Sequence, residues 1–175
     1  IDTVRAALLK PPRKPLHFRD LKHDQKVYYI GEICRQKIMN VTVCVHKPSL
    51  KEPETFQEGY RLYFYTARYL IERVSWLCRD HRKEGDINDG MCEIIFSNRS
   101  SMLYKELKDY FAVLKGRTAP MEVQIDWNVI NIETVTAYTT SKRMGLQIAD
   151  AVASSYFNAL EPNRFGYTEP RYAEM

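Results

Sequence analysis

Ile38-Met-Asn-Val-Thr-Val-Cys-Val-His46 is the stretch on which the reading of this chain turns. Its β-branched side chains fit a pleated, buried surface, and Pro48 and Pro53 close it, so it is expected to be a strand inside a sheet. On its N-terminal side, Val27, Ile30, Ile33 and Cys34 recur at helical spacing and predict a helix from Lys22 or His23 to about Gln36. On its C-terminal side, Leu62, Ala67, Leu70, Ile71, Val74 and Leu77 predict a long helix over roughly Phe56 to Lys83. The alternation continues with a turn over Gly85–Gly90, a strand over Met91–Phe96 and a helix capped by Ser100 or Ser101 that runs to about Lys115. A strand over Glu122–Ile130 follows, then an apolar helix that begins near Thr140 or Ser141, runs from Met144 to about Leu160, and is stopped by Pro162. The opening, Ile1–Pro15, carries three prolines among basic residues and reads as a loop or edge connector. Strands alternating with helices of this length predict one α/β domain, a central sheet covered by helices.

At 175 residues, with 45% apolar and 27% charged side chains, the chain fits one ordinary globular core and excludes fibrous repeats and wholesale disorder. No apolar run approaches the roughly 18–20 residues of a membrane helix. Charge is distributed unevenly. Residues 1–83 hold 17 Lys and Arg against 9 Asp and Glu, residues 84–175 hold 9 against 13, and all four histidines lie in the first part. A basic face of this kind suits an anionic partner such as DNA or RNA, and suits equally a solvated helix face. Cys34, Cys44, Cys78 and Cys92 form no Cys-x-x-Cys pair, which excludes finger-type zinc; as small thiols in apolar stretches they are expected to be buried, in a reducing, cytoplasmic compartment. Phosphate-binding glycine loops, Gly-x-Ser-x-Gly and His-Glu-x-x-His do not occur.

Asp150 draws attention first, because it interrupts the apolar run Gly145-Leu-Gln-Ile-Ala-Asp-Ala-Val-Ala153. A buried carboxylate needs a partner: a metal, helix-start amides, or an Arg or Lys of a neighbouring helix. Asp126 alternates with Ile125 and Trp127, so it faces either solvent or the same site as Asp150. Glu72 lies beside the apolar stripe of the long helix, as a third ligand or as an exposed partner of Arg68 or Arg79. Converging carboxylates suit Mg2+ or Mn2+, which support phosphodiester hydrolysis. His17 and His23 flank Phe18-Arg19-Asp20-Leu21-Lys22; His17 is a candidate acid/base, Arg19, Lys22 and His23 candidate phosphate contacts, and Asp20 with His23 equally suits a helix start.

Three segments carry a resemblance: Leu16-His-Phe-Arg-Asp-Leu-Lys-His23, Ile95-Phe-Ser-Asn-Arg99, and Gly145–Ala153 followed by Ala159-Leu-Glu-Pro162. In order and spacing they resemble the bacterial domain-of-unknown-function-3800 family. The resemblance implies a ribonuclease H-like fold, a central mixed sheet flanked by helices, with acidic metal ligands and a nuclease role. Asp150 matches the late-helix Asp of that family and His17 the histidine of its early motif. Its members open with an Asp-Glu-Ser-Gly segment on the first strand; none occurs here, so the expectation is a single domain over 1–175 without that first strand. Where many members carry an acidic residue, this chain has Ser97-Asn98-Arg99. The expected function is then a Mg2+- or Mn2+-dependent nuclease-like protein, with Asp150, Asp126 and His17 catalytic, Asp150, Asp126 and Glu72 on the metal, and Arg19, Lys22 and His23 on phosphate. A non-catalytic nucleic-acid- or protein-binding accessory domain of a mobile-element or defence locus is the alternative.

Overall fold

The computed structural model describes all residues except 58, 84, 86–88, 100–101, 118–122 and 174–175. It corrects the α/β expectation. Helices take up 52% of the described residues, and the sheet is a single parallel pair rather than a central mixed sheet flanked by helices. The chain divides into two compact units: the first joins Ile1–Thr42 to Tyr138–Met175, and the second is Val43–Ala137.

In the first unit, α1 (Asp2–Ala7), α2 (His23–Cys34) and α5 (Gly145–Leu160) enclose a core of Val4, Leu16, Phe18, Tyr29, Ala151 and Val152, among others. α1 lies where a connector is expected. It ends in a Schellman motif, with Lys10 N–H on Arg5 C=O (2.9 Å) and Leu9 N–H on Ala6 C=O (3.0 Å). The left-handed position of that motif is held by Leu9 at φ 53°, where glycine is usual. α2 begins and ends close to its expected limits, but its buried stripe is Tyr29, Ile30 and Ile33, and Val27 is exposed.

The second unit packs α3 (Arg61–Asp80) and α4 (Tyr104–Gly116) around Ala67, Ile71, Leu107, Phe111, Ile130 and Val135. β1 (Ile95–Ser97) pairs with β2 (Thr136–Tyr138), and one parallel bridge joins Cys92 to Ile130. The expected caps Ser100 and Ser101, residues 86–88 of the expected turn and Glu122 of the expected strand lie outside the described residues; Gly85 and Gly90 take the left-handed backbone a turn requires. Cys34 and Cys44 are exposed, against the expectation that all four thiols are buried; Cys78 and Cys92 are half-buried, and burial beside Cys78 pushes the Cys92 thiol up to about 12.

Two expected strands do not form among the described residues, for physical reasons. Residues 38–46 carry the chain from one unit into the other as mostly exposed backbone that joins neither a helix nor a ladder. β propensity records how side chains fit a pleated surface, and supplies no hydrogen-bonded neighbour. Residues 123–126 lie alongside α3, and the amides of Gln124 and Asp126 are taken by side chains of that helix. Gln124 N–H donates to Glu72 Oε1, Asp126 N–H donates to Ser75 Oγ (3.0 Å), and Gln124 C=O accepts from Trp76 Nε1 (2.8 Å). In the described residues of this segment the helix stands where a neighbouring strand was expected.

Candidate functional site

The same device organises the first unit. α5 presents Gln147 and Asp150, three residues apart and therefore on one face. Their acceptors take the amides of Leu16 and Phe18, which point the same way because the backbone between them is extended at His17 (φ −93°, ψ 126°). Gln147 is 2% exposed. Its Oε1 accepts from Leu16 N–H (2.8 Å) and from Arg5 Nη2 (3.4 Å), and its Nε2 donates to Thr140 C=O (3.0 Å). One amide thus ties α1, the segment before α2 and the turn before α5 together. Tyr29, fully buried, donates its hydroxyl to Gln147 C=O (3.1 Å). Burial, and then the nearby Asp150 charge, raises its phenol well above the ordinary range, so it remains a neutral donor.

Asp150 sits one turn further along α5. Its Oδ2 accepts from Phe18 N–H (3.2 Å) and lies 3.8 Å from His17 Nδ1. Both side chains are about a third exposed, 37% for Asp150 and 35% for His17, so this carboxylate is not the buried charge its apolar surroundings in sequence predict. Leu16 and Phe18 enter the core on either side of His17, and His17 lines a cleft of about 250 Å3 together with Lys10, Lys14, Asp20, Pro11 and Pro15. The Schellman turn at Leu9 and the prolines that follow bring Lys10 and Lys14 to this cleft. Both lysines were missed in the sequence, because a basic, proline-rich connector carries no periodicity to say which way its side chains point.

The other candidate phosphate contacts lie elsewhere in this unit. Arg19 is 85% exposed, with Asp20 at 3.6 Å. Lys22 caps α2, its backbone N–H held by Gln25 Oε1 (3.1 Å), one half of a capping box. His23 fastens the C-terminal segment: its Nδ1 is 2.8 Å from Tyr172 Oη, and its Nε2 is 3.1 Å from Arg171 Nη2. Arg171 also grips Glu169 with two bonds (2.8 and 2.9 Å) and holds that carboxyl below the usual range. Neither Arg19, Lys22 nor His23 lines the cleft.

Asp126 and Glu72 belong to the second unit, Asp150 and His17 to the first. Glu72 is 3% exposed rather than an exposed partner of Arg68 or Arg79; one oxygen holds Gln124 N–H and the other lies 3.7 Å from Arg73 Nε. Asp126 turns one oxygen to Asn128 N–H (3.0 Å) and the other toward Arg79 (3.7 Å). Among the described residues, no three His, Cys, Asp or Glu side chains are grouped to hold a metal. Around Asp150 stand one imidazole, the neutral Tyr29 phenol and one amide that already occupies an oxygen. Mg2+ and Mn2+ demand several hard oxygens, and this donor set does not fit them. Its chemistry is instead that of two lysines, an imidazole and the Asp20 carboxylate around one recess, with the Asp150 carboxylate behind the imidazole.

Comparison with protein-family models, with curated proteins and with solved structures finds no match to this chain.

Proposed function

We propose that the first unit binds the phosphates of a nucleic acid, with Lys10, Lys14 and His17 as the contacts. The observation that carries this reading is their convergence on one cleft, with the Asp150 carboxylate 3.8 Å from the His17 ring. The charge distribution supports it. The first unit holds 13 Lys and Arg against 8 Asp and Glu, whereas the second holds 13 against 14. The basic excess of the chain therefore belongs to the unit that carries the cleft. Lysines act on phosphate as mobile point charges, suited to a backbone contact that reads no sequence.

Affinity for single- and double-stranded oligonucleotides, measured between about 50 and 200 mM salt, tests this reading. Binding is expected to weaken steeply with salt, and Lys10→Gln with Lys14→Gln together to flatten the logarithmic slope by about 1–2. No binding at low salt, or an unchanged slope in the double variant, overturns it.

The His17–Asp150 geometry favours a second reading, hydrolysis of the bound phosphodiester. A carboxylate facing Nδ1 leaves Nε2 as the nitrogen that can take or give a proton at the phosphate, the arrangement of a general acid/base held by an orienting acid. Cleavage assays with and without Mg2+ or Mn2+ separate this reading from simple binding.

A further inference from the structure

The two tryptophans of the chain, Trp76 and Trp127, line one open cleft of about 680 Å3 in the second unit. We propose that this cleft takes an unpaired nucleobase of a single-stranded nucleic acid, stacked on the indole rings. As a statement about a polymer ligand, this rests on the phosphate-binding reading above; as a statement about the cleft, it stands on the second unit alone.

The cleft is built rather than incidental. Its far wall is the 124–128 segment, fixed to α3 by the Glu72, Ser75 and Trp76 hydrogen bonds. The bond from Trp76 Nε1 to Gln124 C=O also spends the one polar atom of that indole, so the ring presents only π surface and apolar edge. Trp127 is half-buried against the core of the unit, which holds a second ring in place. Volume lies within the roughly 300–1,000 Å3 usual for small-ligand sites.

Polar groups stand at the rim in positions suited to a base edge. Arg79 is fixed by Asp80 (2.7 and 3.2 Å) and faces Asp126 (3.7 Å), giving a planar donor beside an acceptor, and Asn128 supplies an exposed amide. The guanidinium of Arg73 lies 4.4 Å from the Trp76 ring centroid. Arg73 is matched by Glu72 (3.7 Å) and Arg79 by Asp80 and Asp126, so the lining carries no net charge. Two indoles with a donor and acceptors at the rim suit a ligand with a π face and a hydrogen-bonding edge, which a nucleobase has and a sugar lacks. Bases inside a duplex offer no free face, so the geometry points to single strands.

The test uses the intact chain, whose whole tryptophan emission comes from this cleft. Adenosine and uridine, which carry no phosphate, are titrated first. Saturable quenching in the millimolar range is expected, and it is to persist when Lys10 and Lys14 are both changed to Gln. Oligodeoxythymidylate is then compared with an abasic oligomer of equal length and charge. The base-bearing strand is expected to bind about 5- to 100-fold more tightly, and Trp127→Leu to abolish that difference while the abasic strand binds as before. Trp127→Phe, which keeps a ring, is expected to retain part of it and guards against a folding defect. The proposal is overturned if nucleosides leave the emission unchanged, if both strands bind equally, or if a neutral oligosaccharide quenches where nucleosides do not. Failure of the phosphate reading looks different: the abasic strand then does not bind at low salt, whether or not nucleosides quench.

Discussion

Gln147→Leu should be the most damaging single change in the first unit, although leucine is close to glutamine in volume and better suited to a core. The substitution removes an acceptor and a donor, and leaves two backbone groups without partners. Leu16 N–H, bonded to Oε1 at 2.8 Å, belongs to a residue 3% exposed, so water does not replace the lost bond. An orphaned buried amide costs about 1–3 kcal/mol. Thr140 C=O, bonded to Nε2 at 3.0 Å, is only part-buried and adds up to about 1 kcal/mol. Arg5 Nη2 at 3.4 Å is a longer contact, and Asp2 already engages that guanidinium. The sum is about 1–4 kcal/mol. At about 4–8 °C per kcal/mol for a unit of this size, the melting temperature falls by roughly 4–30 °C. Thermal melts followed by circular dichroism, with urea titrations alongside, measure the loss; an unchanged urea slope would show that the same structure unfolds. Phosphate affinity should fall as well, because Leu16 positions His17. A loss below about 0.5 kcal/mol, the range of an ordinary surface change, would refute the hub role of this amide.

Asp150→Asn is expected to cost under about 1 kcal/mol, because its oxygen can still accept from Phe18 N–H and the 3.8 Å contact with His17 is between side chains about one-third exposed. Removing a negative charge beside His17 should tighten phosphate binding a few-fold if the cleft only binds, and abolish cleavage if the His17–Asp150 pair is catalytic; oligonucleotide affinity and cleavage measured on the same variant distinguish the two. Leu9→Gly is expected to raise stability by about 0.5–1 kcal/mol, since Leu9 is 92% exposed and held at φ 53°. Leu9→Ala, with the same backbone strain, should bring no such gain in thermal melts.

The periodic parts of this chain were legible. α2, α3, α4 and α5 lie on the residues whose apolar spacing predicts them, within a few positions at each end, because the 3.6-residue period is written into the order of side chains and its hydrogen bonds are local. Of the expected strands, Met91–Phe96 was legible in part, since it overlaps β1 at Ile95 and Phe96; the other two were not. Ile38–His46 and Glu122–Ile130 have the composition of strands, but a strand exists only when distant backbone supplies its ladder. At 123–126 the described partners were Glu72, Ser75 and Trp76 of a helix.

The same distinction governs the sites. Asp150 and His17 could be singled out as polar residues in conspicuous places, and the requirement that Asp150 find a partner could be derived from its neighbours. That the partners are the Phe18 amide and His17, while Asp126 and Glu72 serve a different unit, follows from a fold in which residues 1–42 and 138–175 close on each other around an inserted segment. By itself the sequence determined which segments coil into helices and how much charge the chain carries. Tertiary structure alone decided which extended segment each helix holds, that Lys10 and Lys14 meet at His17, and that both tryptophans share one cleft. The physical reason is one of range and regularity. Helix periodicity is satisfied within four residues, whereas the helix-to-segment bonds and the meeting of the tryptophans join residues about 50 or more positions apart. Lys10, Lys14 and His17, though near in sequence, are linked by aperiodic backbone whose direction no local pattern encodes.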